Sequence, residues 1–479
     1  MENVKQLKKN KNVDMTTGKP LVQIILFTLP LLLGNVFQQL YNICDSAVVG
    51  KFVGDDAMAA VSSSGSLINL LIGLVQGISV GAGIVVAQYF GAKQKEKMSN
   101  TIHTQVLFSF VLGLILSIIG YILAPTLLKL MNTDEDILPN SIAYFHTYFI
   151  GVIFTVMYNT GSAILRAVGD SRHPLYYLIV ASIINILLDF LFVGAFKWGI
   201  VGAGIATICA QFISSLLTFL QLILTKEEYK VSLKKIRFHK NELIKILAYG
   251  IPTGLQNSII SFSNVFILSN VNSFGKLATT SYGAYSKVEG FATMPSGSFS
   301  MALSTYVGQN FGAKKYDRAR KGAYQGLLTS CLVTEFLGIL IILFGKYILR
   351  IFTDTDEVIA QSMLQIQTIT PLYFLLAYSH SMSGILRGAG YSKTPMAVMI
   401  ICWVFVRIFG IPIALNTIWN NVRTIFWFYP FTWSLSFVVL TLIAYFSHWS
   451  NKKIDNVRIA DKAIVSEISG SYKKEETKI

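Results

Sequence analysis

The sequence predicts an all-α polytopic membrane protein. Twelve transmembrane helices form two six-helix lobes related by a parallel pseudo-twofold repeat. Three observations carry this prediction. Long apolar runs are separated by short charged stretches, basic residues collect on one side of those runs, and sequence motifs recur at a fixed offset of 221 residues.

Of 479 residues, 53% are hydrophobic and 14% charged. A soluble chain carries about 25% charged residues, so this one lacks the polar surface for two or three soluble domains. A span needs roughly 20 apolar residues. The first half offers runs at about 22–47, 57–87, 102–124, 142–165, 175–196 and 199–224. The second half offers about 244–270, 279–307, 323–345, 362–385, 395–416 and 424–447. Residues 1–21 read as an N-terminal tail and 22–224 as the N-lobe. Residues 225–245 read as a linker, 246–447 as the C-lobe and 448–479 as a C-terminal tail. The tail Met1–Lys19 is basic and lacks a small-residue cleavage pattern, so the first helix is expected to be retained.

With twelve spans both termini share one side. That side holds 31 of the 40 Lys and Arg, the opposite loops hold 7, and Lys287 and Arg407 lie inside spans. Basic residues mark the cytoplasmic face, so both termini are expected in the cytoplasm, beneath a bacterial inner membrane. The net charge of +15 is thereby explained by orientation and is no nucleic-acid signal. Cys44, Cys209, Cys331 and Cys402 all sit in apolar runs, without metal-ligand spacing.

Val86-Ala87-Gln88-Tyr89-Phe90-Gly91-Ala92-Lys93 recurs as Val307-Gly308-Gln309-Asn310-Phe311-Gly312-Ala313-Lys314. Ser162–Gly169 recurs as Ser383–Gly390, and Pro174 as Pro395, all 221 residues apart. Six helices separate the copies, so both have the same orientation. Paired six-helix halves are a common way to build alternating access around a central site.

Only Asp45, Asp189, Glu289 and Glu335, of 25 Asp and Glu, fall within the spans. A charge at the bilayer centre costs about 2.5–3.5 kcal/mol on the insertion scale, so such groups face a bundle interior or a wet cavity. Asn185 and Asp189 are four apart and share a helix face. Orientation places Asp45, Asp189 and Thr207 in the outer half of the first repeat, with Asn185 nearer mid-depth. If they converge, they form a hard-oxygen site suited to a small cation, and equally a pair of carboxyls suited to carrying a proton; the alternative is that Asp45 bonds to neighbouring backbone or caps the helix end. The offset maps Asp189 onto Gly410 and Asn185 onto Val406, so the coupling ion is assigned to the first half. In the second half, Arg407 and Glu289 either bind substrate or form an internal pair. Glu335 is expected to have a paired structural role. Some of the 32 Phe, 22 Tyr and 12 Met are expected to line a cavity for flat, greasy cations.

No G-x-x-x-x-G-K-[ST], H-E-x-x-H or C-x-x-C occurs. The expectation is therefore no enzyme, no cofactor, no ATP and no nucleic acid. Energy must come from an ion gradient or the membrane potential.

At these residues the chain resembles a known family. Thr28-Leu29-Pro30-Leu31 and Gln38-Gln39-Leu40-Tyr41-Asn42-Ile43-Cys44-Asp45-Ser46 are similar to the first-helix signature of multidrug and toxin extrusion (MATE) transporters of bacterial type. The two Gln-x-Phe-Gly-Ala copies and the two Leu-Arg-x-x-Gly copies resemble its paired loop motifs, and the likeness spans roughly 16–450. It implies two lobes in a V around a cavity, and a secondary antiporter that exchanges amphipathic organic compounds, often cationic, for Na+ or H+. It also implies an acid site on the first, fifth and sixth helices, matched here by Asp45, Asn185, Asp189 and Thr207. Glu289 resembles a family acid on the eighth helix. Further coupling acids known on the seventh and tenth helices have no counterpart here. Gln38, Tyr41, Glu289 and Arg407 are the candidate substrate-cavity residues. The expected partners are small organic substrates and membrane lipid, with the monomer as the working unit. A flippase for lipid-linked oligosaccharides or lipids is the competing reading; its cavity would carry several bases, where only Lys287 and Arg407 lie within these spans.

Overall fold

The computed structural model describes residues 14–130, 133–447 and 449. Every expected span is a helix, and no strand occurs among the described residues. The N-lobe holds α1 (Pro20–Phe52), α2 (Asp55–Gly91), α3 (Lys95–Leu130), α4 (Leu138–Ala167), α5 (Arg172–Asp189) and α6 (Gly199–Leu224). A π-helical turn, Phe190–Ala195, extends α5. The C-lobe holds α7 (Lys240–Asn272), α8 (Lys276–Gly312), α9 (Tyr316–Leu349) and α12 (Val422–Phe446). Between α9 and α12 come two composite helices. In α10 a 3₁₀ turn, Thr370–Leu372, joins Asp356–Ile369 to Tyr373–Gly388. In α11 the π-helical Ile400–Phe405 joins Lys393–Met399 to Val406–Thr417. The N-terminal tail through residue 13 and nearly all of the C-terminal tail lie outside the described residues.

Two details differ from expectation. The span near 362–385 is broken at Pro371, where the missing N–H and the ring interrupt the helical ladder. The helix resumes with Phe374 N–H donating to Glu335 Oε2 at 2.9 Å, which gives Glu335 its structural role: it satisfies a free amide of the restarting helix. In addition, α7 begins at Lys240, inside the stretch expected to be linker. The preceding segment docks on α3: Ser232 N–H donates to His103 Nε2 at 2.9 Å and His239 N–H to Thr104 Oγ1 at 3.1 Å.

The repeat is visible in the backbone. Left-handed residues fall at Gly54 and Gly275, Lys93 and Lys314, and Gly169 and Gly390. The last two pairs end helices in the same way. Gln94 N–H reaches Tyr89 O at 3.0 Å and Lys315 N–H reaches Asn310 O at 2.8 Å. Asp170 N–H reaches Leu165 O at 2.9 Å and Tyr391 N–H reaches Leu386 O at 2.8 Å. These are six-to-one closures of a Schellman cap, which need one left-handed residue each. The recurring loop motifs are therefore, in part, helix-stop signals.

Polarity sorts the helices by position. Among the described residues, nine helices are long and apolar enough to cross a membrane by length and composition; α7, α8 and α10 fall short. Yet α8 is deeply packed, against α1, α2, α7, α9 and α10. Many of its polar side chains, among them Ser281, Tyr285, Ser300 and Tyr306, are buried against protein, so it needs no continuous apolar coat. Its repeat partner α2 packs against α1, α3, α4, α7 and α8. By contrast α3 and α9 turn Ile118, Ile122, Leu332 and Leu343 outward. An apolar rim of this extent is a lipid-facing surface.

The lobes meet along α2–α7 and α1–α8, with α2 and α8 touching at the centre. Small residues permit the approach. A Cβ on Gly77 would overlap the backbone of Gly254, and one on Gly81 that of Gly250. On the other seam Asn35 Nδ2 donates to Ser298 Oγ at 3.0 Å. Close backbone contact through small residues is how helices associate where lipid supplies no hydrophobic drive.

The start of α5 shows sequence acting locally. Asp170 Oδ1 accepts from Arg172 N and His173 N, both at 3.2 Å, and Oδ2 meets His173 Nδ1 at 2.5 Å. Asp170→Ala removes an N-terminal cap of a kind that contributes about 0.5–2 kcal/mol. It is expected to lower the midpoint of thermal unfolding in detergent, whereas Asp170→Asn, which keeps the accepting oxygen, is expected to retain most of the stability.

Candidate functional site: a buried acid pair in the N-lobe

Helix α1 packs on α5, α5 on α6, and α1 touches α6. Four of the polar residues singled out in the sequence point into this junction. Asp45 comes from α1, Asn185 and Asp189 from adjacent turns of α5, and Thr207 from α6. Their relative exposures are 7%, 1%, 0% and 4%, so none faces lipid or bulk solvent.

The approach of α6 is set by small residues. Gly204 lies against Thr147 of α4, where a Cβ would come within 2.7 Å of Thr147 Cγ2. Gly151 of α4 likewise accommodates Ile208. Thr207, between these contacts, is held toward α1. The π-helical turn begins immediately after Asp189. Such turns widen the helix and often mark functional positions.

The two carboxyl groups interact directly with each other. Tyr41, one turn before Asp45 on α1, lies close enough to interact with both Asp45 and the Thr207 hydroxyl. However, Asp45 Oδ1, both Asp189 oxygens, both amide atoms of Asn185 and Thr207 Oγ1 are buried without a hydrogen-bond partner in acceptable geometry. A buried ionised carboxylate is tolerated only if paired or coordinated, and a pair of them repel. The arrangement therefore calls for positive charge. Two carboxylates with an amide oxygen and a hydroxyl are hard donors that fit a small monovalent cation, and the same carboxyls can carry a proton.

The sequence reading missed α4. Tyr144 and Tyr148, 6% and 9% exposed, stand beside this cluster, and Tyr144 lies within electrostatic reach of both Asp45 and Asp189. Their spacing of four was legible as a shared face. The face itself was not, because an amphipathic tyrosine in a membrane helix equally suits an interface.

The other candidates are distributed differently. Gln38 is exposed and Tyr41 half-buried on α1. Arg407 is buried in the C-lobe at 2% exposure. Its Nε and Nη2 donate to Thr432 Oγ1 at 3.1 and 3.0 Å, and its guanidinium lies over Tyr429 and Trp403 at 4.5 and 5.4 Å from the ring centroids. Glu289 is half-buried on α8, within electrostatic reach of Arg407 and beside Tyr285. No ion pair within 4.0 Å joins Glu289 to Arg407 among the described residues. Tyr282 meets Tyr429 hydroxyl to hydroxyl at 2.8 Å, and Tyr285 meets Tyr373 at 3.1 Å. This part of the C-lobe interior is thus a tyrosine-lined polar core that holds Arg407 and Glu289. Lys287 instead points away, its Nζ 5.3 Å from the Phe352 ring centroid. The four cysteines are free: Cys402 is buried, and Cys44, Cys209 and Cys331 are partly so.

Twelve helices in two repeated lobes, with a buried acid cluster in one of them, fit a membrane-embedded transporter. The comparisons specify which kind. A family model described as MatE matches residues 30–191 and 252–413, one copy per lobe. The probable multidrug resistance protein YoeA of Bacillus subtilis is 34% identical over 403 residues, covering 81% of this chain and 86% of that protein. The probable multidrug resistance protein NorM of Thermotoga maritima is 27% identical, covering 79% and 82%. The FAD transporter of Shewanella oneidensis is 24% identical, covering 71% and 76%. Among solved structures, a MOP superfamily transporter from Pyrococcus furiosus superposes with a TM-score of 0.86 at 20% identity, covering 94% of this chain and 99% of that one. An outward-facing MATE family transporter gives 0.86 at 20% identity, covering 92% and 99%. The chain belongs to the MatE family, the multidrug efflux transporters expected from its motifs.

The unpartnered acid pair has a consequence that can be measured without transport. At high pH and without sodium, Asp45→Asn or Asp189→Asn removes a buried repulsion. Each is expected to raise thermal stability relative to wild type there, and to lose that advantage at low pH, where protonation removes the repulsion in wild type as well. Lower stability of both variants at every pH would mean that the carboxylates are satisfied by partners other than an ion.

Proposed function

We propose that the protein is a secondary antiporter, exporting amphipathic organic compounds, often cationic, in exchange for Na+ or H+ by alternating access. The observation that carries this reading is the buried Asp45–Asp189 pair, of which Asp45 Oδ1 and both Asp189 oxygens lack a partner among the described residues, flanked by Asn185 and Thr207. These four residues bind the coupling ion, with Tyr41 and Tyr144 beside them. Filling the site with a cation or with protons removes the repulsion between the acids and lets α1, α5 and α6 close together. Vacating it favours a looser arrangement of the same helices. Such a difference in ion affinity between two states is what couples a gradient to a conformational change.

The substrate path runs between the N-lobe (22–224) and the C-lobe (246–447), with residues 225–245 linking them. Gln38 and Tyr41 contribute from the N-lobe side, and Glu289 and Arg407 from the C-lobe. Both termini are cytoplasmic, given the sidedness of the basic residues. The membrane is the bacterial inner membrane, the gradient replaces ATP, and the monomer is the working unit. A flippase for lipid-linked pyrophosphates requires bases presented to the cavity. Arg407 is sandwiched by Trp403 and Tyr429, and Lys287 lies on Phe352. Neither position favours that alternative.

The test is transport in proteoliposomes. A fluorescent organic cation is followed under an imposed sodium or proton gradient, for wild type, Asp45→Asn and Asp189→Asn. The expected outcome is gradient-driven movement in wild type, at least tenfold slower in either variant, with the effective gradient naming the ion. Unchanged movement in both variants would remove the coupling assignment.

A further inference from the structure

The face that carries the chain termini is closed by a matched set of contacts between the lobes. Gln88 of α2 donates from Nε2 to the carbonyl of Gly388 on α10 at 3.1 Å. Gln309 of α8 donates from Nε2 to the carbonyl of Ala167 on α4 at 2.8 Å. Each bond joins one lobe to the other, and both donors and acceptors are related by the same 221-residue offset. Glycines beside them make the approach possible. A Cβ on Gly91 would overlap the carbonyl oxygen of Gln309, and one on Gly312 that of Gln88.

The two bonds differ in one respect. Gln309 is fully buried, and its Oε1 also accepts from Met15 N–H at 3.2 Å. Met15, itself fully buried, belongs to a short strap, Asp14–Gly18, that precedes α1. The strap is tied down by C-lobe side chains. Asn310 Nδ2 donates to Met15 O at 3.0 Å and Lys315 Nζ to Thr16 O at 2.8 Å. Arg318 donates to the carbonyls of Met15, Thr17 and Gly18, and to Gln23 Oε1 at 2.8 Å. One amide therefore holds the strap with its oxygen and the opposite lobe with its nitrogen.

We propose that Gln88 and Gln309 are positioning residues of the transport cycle, a paired latch that holds the terminal face shut, and that the Asp14–Gly18 strap locks the Gln309 half by fixing its amide. A side-chain amide suits this task. It donates one neutral hydrogen bond to a backbone carbonyl, strong enough to bias an equilibrium and weak enough to break in every cycle. Opening this face must break both bonds, and it must also free or carry along the strap. The inference rests on the alternating-access reading. Its test reads conformation and not flux, so the two can fail separately.

The experiment measures distance between spin labels in the full chain in lipid nanodiscs, with the four native cysteines replaced by serine. Labels go on Glu96→Cys and Asp317→Cys, exposed residues in the first turns of α3 and α9 on this face. The unlatched population is the longer distance. Gln88→Met and Gln309→Met are each expected to raise its ratio to the shorter one about fivefold, and together about thirtyfold. Gly312→Ala, a steric wedge that leaves both amides in place, is expected to lengthen the distance too. Arg318→Met is expected to raise the ratio alone but to add little on top of Gln309→Met, since it acts through that amide. Monodisperse elution and an unchanged helical spectrum control for folding; if the double substitution fails them, the single Gln309→Met decides. An unchanged distribution in the folded amide variants overturns the latch. Full additivity of Arg318→Met with Gln309→Met overturns the role of the strap.

Discussion

Two carboxyl groups face one another inside a helical lobe, and among the described residues nothing donates to Asp45 Oδ1 or to either Asp189 oxygen. Within hydrocarbon this is the most demanding local condition in the molecule, because an uncompensated buried charge costs far more than any single contact returns. The surroundings can be understood as meeting it. Gly204 and Gly151 draw α6 and α4 together, so that Thr207 and the tyrosines of α4 reach the acids. The π-helical turn after Asp189 changes the phase of α5 just beyond the pocket. Under the proposed coupling the missing positive charge comes from outside the chain, and a site that is incomplete without an ion gains or loses one as conditions change.

The C-lobe solves a different problem with the same scaffold. Its interior base, Arg407, is covered by Tyr429 and Trp403 and bonded to Thr432. Its charge is spread over aromatic faces and not cancelled by a carboxylate. Its acid, Glu289, sits among tyrosine hydroxyls. Duplication supplied two copies of one six-helix frame, and the polar contents then diverged. In one copy carboxylate oxygens lack donors, and in the other Arg407 is bonded to Thr432 and the tyrosine hydroxyls pair with one another.

Much of this could be read from the sequence, for identifiable reasons. Most span positions followed from apolar length, since lipid imposes one thickness on every helix, although α7, α8 and α10 carry a weaker apolar signal. The convergence of Asp45, Asn185, Asp189 and Thr207 followed from depth and helical phase once orientation was fixed. The break in α10 lay at Pro371, but a proline in a membrane helix commonly passes without interruption, as Pro30, Pro125 and Pro252 do here. The tyrosines of α4 and the true environment of Arg407 depend on which helices become neighbours, and no local pattern encodes that. The repeated Gln and Gly residues were visible as a motif. Their partners were not, because each lies in the other half of the chain.

The uneven polarity of the helices bears on how the protein is made. Three of the four helices from α7 to α10 are too polar to qualify as spans on their own composition, and α9 is the exception. A segment such as α8, rich in Ser, Thr and Gly, partitions poorly from an aqueous channel into lipid by itself. It becomes stable there only when α2, α9 and α10 cover it. The N-lobe can therefore enter the bilayer helix by helix as it emerges. The C-lobe is expected to enter with α9, α11 and α12 as its greasy anchors and the finished N-lobe as the wall against which α8 comes to rest.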